Sequence, residues 1–261
     1  MRDAVRRPLA FAGVALMTLP AACSKANHKA SPRNVTVFAA ASLTESFATL
    51  AQQFEAAHTG VTVKLVFGPS TDLARQIVAG ADADVYAAAS ASSIAPVSKA
   101  NLVDAAAVTF ARNRLEIAVP ASNPAHVAGL ADLGRGGVTF AVCAVEVPCG
   151  AAAMKLLAAA GVTAAPVTYE RDVKAVLAKV RLGEVDAGLV YRTDIHAEAI
   201  GPTPGKVTGV DIPESTKAVN DYPIVTIKRS AGSAKEASAF VAYVLSARGR
   251  TALTDAGFDA P

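Results

Sequence analysis

The 261-residue chain has no tryptophan, so no indole reports on it by fluorescence. It lacks GxSxG, HExxH and GxxxxGK followed by Ser or Thr, which removes the usual marks of a serine hydrolase, a zinc protease and a P-loop NTPase. Its four histidines, His28, His58, His126 and His196, stand alone among polar or turn residues and read as solvated side chains. There are three cysteines, no CxxC spacing and no neighbouring His to complete four ligands, so a structural zinc site is not expected. Charge of one sign is also scarce. The formal net charge is +3, and residues 1–22 carry three Arg and one Asp, so the chain without them holds about +1. No basic face dominates, which argues against a nucleic-acid partner. No internal repeat or low-complexity tract is present beyond a richness in Ala. The hydrophobic fraction of 52% is inflated by Ala and by the N-terminus, yet leaves enough Val, Leu and Ile to fill two modest lobes.

What the chain does have is a recurring junction. Residues 35–44 (VTVFAAASLT) run from a β-branched strand into a helix whose apolar positions, Leu43, Phe47, Leu50, Ala51 and Phe54, keep a three-to-four spacing. Ser42 falls at or near the N-cap, where unpaired N–H groups and the helix dipole attract negative charge. Taken alone, Ser42 reads equally as a cap of its own helix. The junction recurs at residues 61–67 (VTVKLVF), where Gly68-Pro69-Ser70-Thr71 leads into a second helix, and at residues 138–142 (VTFAV), where Val147-Pro148-Cys149-Gly150 leads into a third. Gly150 is expected to let the backbone aim N–H groups at a ligand with no Cβ in the way. A short strand at 166–169 precedes Asp172, the expected cap of a helix carrying Val173, Val176, Leu177 and Val180, and a strand at 185–191 ends in Tyr191. Five mouths on an α/β alternation imply a convergent site at the carboxyl ends of parallel-dominated sheets.

These segments together resemble the periplasmic molybdate-binding proteins of ABC-type oxyanion importers, a type II solute-binding fold. The resemblance runs from Val35 to the C-terminus and rests on AAASLT at 39–44, STDLARQI at 70–77, ADVYAAA at 83–89, VPCG at 147–150 and GLVYRTD at 188–194. It implies a fold of two α/β lobes with the ligand between them, a first lobe of residues 35–117 and 223–261 and a second of 118–222. It also implies that Ser42 and Ser70 donate hydroxyls, Cys149 and Val173 donate backbone amides, and Tyr191 donates its phenol to a tetrahedral dianion. Molybdenum would then be held only as its oxyanion, with no resident cofactor. Such a site would accept tungstate, which is nearly the same size, and hold sulfate poorly, because a smaller ion cannot reach every fixed donor. The implied partners are an ABC permease and its ATPase, with the binding protein as a monomer. Two departures stand out: Cys149 replaces a frequent Ala, and Pro69 replaces a Ser and so removes a donor. Asp172 and Asp194 lie close to expected donors and are read as helix caps facing away.

The N-terminus carries Arg2, Arg6 and Arg7, an apolar run at 9–19 too short to span a bilayer, and Ala21-Ala22-Cys23. This reads as a signal peptide of residues 1–22 and a lipidated Cys23, with a polar tether of 23–34 that holds an exported lipoprotein off the membrane. Pro20 occupies the position where a lipobox usually has Leu, so ordinary cleavage to a soluble periplasmic form is the alternative. With Cys23 acylated, Cys143 and Cys149 remain as a pair in one loop, either bridged, which would clamp the VPCG loop, or as two buried thiols. The rival functions are a binder of sulfate, phosphate, ferric ion or an organic acid, and a hydrolase using Ser42. No His or Lys accompanies either serine motif as a base, Tyr191 is followed by Arg192 rather than a second Tyr, and an organic acid would call for a clamp such as Arg75 or Arg192.

Overall fold

Val35 and Val37 are fully buried in the first strand, and Phe47, Leu50, Ala51 and Phe54 form the buried stripe of the helix that follows it. These two patterns start the fold. The computed structural model describes residues 33–201, 205–228 and 234–261. In chain order the strands are β1 (Arg33–Ala40), β2 (Val61–Gly68), β3 (Val85–Ala87), β4 (Val108–Asn113), β5 (Leu115–Pro120), β6 (Phe140–Cys143), β7 (Thr168–Glu170), β8 (Ala187–Tyr191), β9 (Val207–Val210) and β10 (Asn220–Thr226). The helices are α1 (Thr44–Ala57), α2 (Ser70–Val78), α3 (Ala91–Lys99), α4 (Pro148–Ala159), α5 (Val173–Arg181), α6 (Arg192–Ile200), α7 (Ala234–Leu245) and α8 (Ala247–Asp255).

The strands form two five-stranded sheets, ordered β2-β1-β3-β10-β4 and β7-β6-β8-β5-β9. In the first, β1 runs parallel to β2 and β3, and β10 is antiparallel to β3 and β4. In the second, β6 runs parallel to β7 and β8, and β5 is antiparallel to β8 and β9. The two halves thus share one plan, the α/β architecture expected of a type II solute-binding fold. The chain passes between the sheets twice, from β4 to β5 and from β9 to β10. Parallel strands require helical crossovers, and these bring the starts of α1, α2, α4 and α5 to the carboxyl ends of the strands they follow.

Both faces of the first sheet are covered. Phe47 packs against Phe110 at 5.7 Å between ring centroids, and Phe54 meets Phe240 of α7 edge-on at 5.3 Å. Leu73, Ile77, Ile94 and Val97 of α2 and α3 cover the opposite face. Each fully buried Phe contributes roughly 1.5–3 kcal/mol, and together they fix the height of α1 and hence of Ser42. In the second sheet Gly188 permits the approach of α5, since a Cβ there would lie 2.7 Å from Val176 Cγ1 and 2.9 Å from Val180 Cγ2.

The expected signal peptide, Cys23 and the tether up to residue 32 lie outside the described residues. Arg33 and Asn34, the last of the expected tether, instead open β1, paired with Val61 and Thr62, and Arg33 reaches Glu236 at 2.7 Å. Among the described residues no helix is long and apolar enough to cross a membrane.

Candidate functional site

Ser42, Ser70, Cys149, Val173 and Tyr191 line one small cavity between the two sheets, and Arg171 and Asp172, the latter expected to face away, line it with them. All five expected residues are therefore brought together, two from the first sheet's connections and three from the second's. The space open to an oxygen-sized centre is about 20 Å³. A larger cavity of about 210 Å³ adjoins Ser42, but it holds only that one of the five residues, and its walls include Glu45 and Asp255.

Ser42 is not a helix cap. It sits in a tight turn, Ala41–Leu43, ahead of α1, whose own cap position is Leu43 with no side-chain bond. The Ser42 hydroxyl instead lies 2.8 Å from the hydroxyl of Tyr222, and the turn is closed by Thr44 Oγ1 donating to the Ala41 carbonyl. Ser70 is the first residue of α2 and likewise caps nothing: its Oγ accepts from the Ala89 amide at 3.0 Å, and its carbonyl accepts from the Tyr86 hydroxyl at 2.6 Å.

On the opposite wall, Pro148 takes the first position of α4, where its missing N–H costs no helical bond, and Cys149 follows. Cys149 is joined to Cys143 at the end of β6, with 5.7 Å between their Cα atoms, so strand end and helix start are clamped together. Gly150 has another reason than the one expected. It lies inside the helix, and a Cβ there would fall 1.9 Å from the Ala144 carbonyl oxygen, so the residue serves the close seating of α4 on its own turn.

Val173 is the first residue of α5. Asp172 caps that helix as expected, its Oδ1 accepting from the Ala175 amide at 2.9 Å and its backbone carbonyl from Val176, which leaves the Val173 and Lys174 amides outside the helical ladder. Asp194 is the third residue of α6 and caps it as expected, through the capping box: its Oδ2 accepts from the Tyr191 amide at 3.0 Å. Its carboxylate is fully buried, and Lys174 Nζ stands 2.9 Å away. Burial pushes the Asp194 carboxyl above its ordinary value, and Lys174 offsets part of that rise. For Lys174 burial acts downward, but Asp194 and Glu45 outweigh it and hold the ammonium above its usual range.

Tyr191 is fully buried, its ring edge-on to that of Tyr222 at 5.8 Å; its hydroxyl has that of Tyr222 for a neighbour but makes no bond of ordinary hydrogen-bond geometry. Burial pushes this phenol well above its ordinary value, so it stays a donor. An orphaned buried hydroxyl costs free energy, which makes it the most conspicuous polar atom of the cavity wall. The arginines considered as an organic-acid clamp are engaged elsewhere: Arg75 pairs with Asp72 on the surface, and Arg192 donates to the Gly257 carbonyl at 2.6 Å and to Asp259 at 2.8 Å. Among the described residues no group of three or more His, Cys, Asp and Glu could hold a metal ion.

Sequence reasoning missed Tyr222, 180 positions from Ser42, and the ion pair of Lys174 with Glu45, 129 positions apart, at 2.8 Å. Neither pair leaves a local pattern, so no spacing rule could have found it.

Residues 35–259 match the family described as bacterial extracellular solute-binding protein. The chain is 40% identical over 240 residues to the Molybdate-binding protein ModA of Mycobacterium tuberculosis, covering 92% of this chain and 90% of that protein. The periplasmic molybdate-binding protein of Azotobacter vinelandii superposes with a TM-score of 0.74 at 22% identity, over 87% of this chain and 99% of that one. The sulfate-binding protein SubI of M. tuberculosis superposes equally well, at 0.75 and 19%, over 87% of each chain. At these identities the superpositions establish the fold alone, so the choice of anion has to come from the cavity.

Proposed function

The chain belongs to the bacterial extracellular solute-binding proteins, and from that membership and its likeness to ModA we propose that it captures molybdate, and tungstate with it, and hands the anion to an ABC permease and its ATPase. It is a solute-binding protein and not an enzyme. The observation that carries the reading is the buried Tyr191 hydroxyl, without a bond of ordinary geometry in the protein, on the wall of a cavity that Ser42, Ser70, Cys149 and Val173 complete. Ser42, Ser70 and Tyr191 supply O–H donors, and Cys149 and Val173 supply amides at helix starts. Several neutral donors satisfy the oxygens of a dianion without a full countercharge. The cavity is small, about 20 Å³, which suits one compact oxyanion better than an extended organic acid.

The relatives also support an extracytoplasmic address. We read the finer address from the N-terminal residues, with cleavage before Cys23, acylation of its thiol and a monomeric domain on a tether. The mass of the mature N-terminal peptide tests it, a diacylglyceryl adduct on Cys23 being the expected result.

The ligand is tested by thermal-shift titration of the mature domain with molybdate, tungstate, sulfate and phosphate. A ligand at ~100 times its dissociation constant adds about 2.7 kcal/mol to stability, enough to move the midpoint by several degrees. Large shifts with molybdate and tungstate alone are expected. A response led by sulfate or phosphate would keep the fold and overturn the ligand.

A further inference from the structure

We propose that Arg171 is a positioning residue that guides the oxyanion into the cavity, its guanidinium offsetting the carboxylate of Asp172, which stands at the start of α5 and would otherwise repel a dianion from the Val173 amide. The inference rests on the oxyanion reading of the cavity and concerns how the anion gets in.

Among the described residues that line the cavity, Arg171 and Asp172 alone carry charge. Both belong to the short connection between β7, which ends at Glu170, and α5, which begins at Val173. Asp172 Oδ1 accepts from the Ala175 amide at 2.9 Å, so its carboxylate occupies the N-terminal end of that helix. Such an end attracts an anion through its free amides and its dipole, and here a resident anion is already in place. An oxyanion at the Val173 amide therefore arrives one residue away from a like charge, which neutral donors cannot cancel. The Asp172 side chain is only 10% exposed, so water screens it poorly.

The compensating cation is Arg171, whose Nε lies 3.5 Å from Asp172 Oδ2. The other cation at this helix start, Lys174, is committed elsewhere. Its Nζ donates to both carboxylate oxygens of Glu45 at 2.8 Å and stands 2.9 Å from Asp194, so it sits between two carboxylates with no charge left over. The Arg171 side chain is 81% exposed, which makes its pair with Asp172 worth little to the fold but lets it act on an ion still outside. A rim charge of this kind changes the association rate and its salt dependence more than the dissociation rate. The cap of α5 is thus kept without leaving its charge unopposed where the anion enters.

The test is titration calorimetry with molybdate, or with the one of tungstate, sulfate and phosphate that the unaltered protein binds. It is run at about 10 mM and about 1 M ionic strength, between which the screening length falls from about 30 Å to about 3 Å. At low salt Arg171→Gln should raise the dissociation constant about three- to tenfold, and at 1 M the loss should vanish. Arg171→Lys should keep the unaltered affinity to within about twofold, since the charge is retained. Asp172→Asn leaves a good helix cap and should tighten binding at low salt by a factor comparable to the Arg171→Gln loss. The double variant should return close to the unaltered value, because both charges are gone. In stopped-flow tyrosine emission the Arg171→Gln loss should lie in the association rate. A loss that persists at 1 M salt, or that Lys does not repair, would show a fixed contact or a merely structural role and overturn the proposal. Unchanged affinity at low salt, or a double variant as weak as Arg171→Gln, would do the same. Should Asp172→Asn fail to fold, the salt dependence of Arg171→Gln and its repair by Lys still decide. Unaltered protein that binds none of the four anions overturns the oxyanion reading and this inference together; binding indifferent to Arg171 overturns this inference alone.

Discussion

The two walls of the cavity hold their donors by different means. On the first-sheet side the proposed donors are side-chain hydroxyls, Ser42 and Ser70, each hydrogen-bonded to a neighbour, Tyr222 and the Ala89 amide. On the second-sheet side two donors are backbone amides at the starts of α4 and α5, fixed by the helices and, for Cys149, by the bridge to Cys143. An amide cannot turn round, so its direction comes with the fold. A hydroxyl can, so its direction must be built from other residues. One wall therefore owes its chemistry to backbone and the other to side-chain bonds, and Tyr191 stands apart from both as a buried hydroxyl with no bond of ordinary geometry.

The sharpest way to break the contrast is to delete an amide without touching the fold. Val173 is the first residue of α5, and Asp172 before it is extended, which is what a following proline demands. Pro148 already occupies the same position of α4. Val173→Pro should weaken molybdate binding by about 2–3 kcal/mol, the worth of a hydrogen bond to a charged group, with little change in the unfolding midpoint of the free protein. Calorimetric titration beside a melt checks both halves. Ser70→Ala, on the other wall, should cost about 1–2 kcal/mol of binding and, unlike Val173→Pro, should also destabilise the free protein, because the buried Ala89 amide loses its acceptor.

Tyr191→Phe separates binding from stability by sign. It should weaken binding by about 1–2 kcal/mol while stabilising the free protein by about 1 kcal/mol, as an unsatisfied buried hydroxyl disappears. For a domain of this size that is a midpoint about 2–4 °C higher. A midpoint that falls would mean the phenol already has a partner in the free protein. The smallest expected effect lies outside the cavity, where Lys174 of α5 reaches Glu45 of α1 across the two halves. Glu45 is half exposed, so Glu45→Gln should cost only ~0.5 kcal/mol of binding. The loss should be equal for molybdate and tungstate and should vanish in high salt, which distinguishes it from any change to the cavity wall.

Much of this site could be read before its geometry was known, and the limits have physical causes. The five wall residues sit at strand-to-helix junctions, and such junctions have local signatures: alternating Val before Ser42, Asp before Val173, a strand running into Tyr191. Resemblance then assigned the donors that composition could not. Errors came where a residue's partner is set by packing rather than by spacing. Ser42 looked like a cap because helix starts usually use Ser so, whereas its partner is Tyr222 on a strand that arrives after the chain has built the whole second sheet. Gly150 suggested an open path for amides, but its reason is the Ala144 carbonyl packed against it. Local spacing carries elements and junctions; the orientation of a hydroxyl is a tertiary property.

The Cys143–Cys149 bridge also sets an order of events. Disulfides of this kind persist in oxidising compartments and not in a reducing cytosol, so the loop bearing Cys149 takes its final covalent form only after the chain has been exported. The bond thus works as a clock on the wall it belongs to: a chain still inside the cell holds that amide in an unclamped loop, and the finished wall appears where the anion is to be collected.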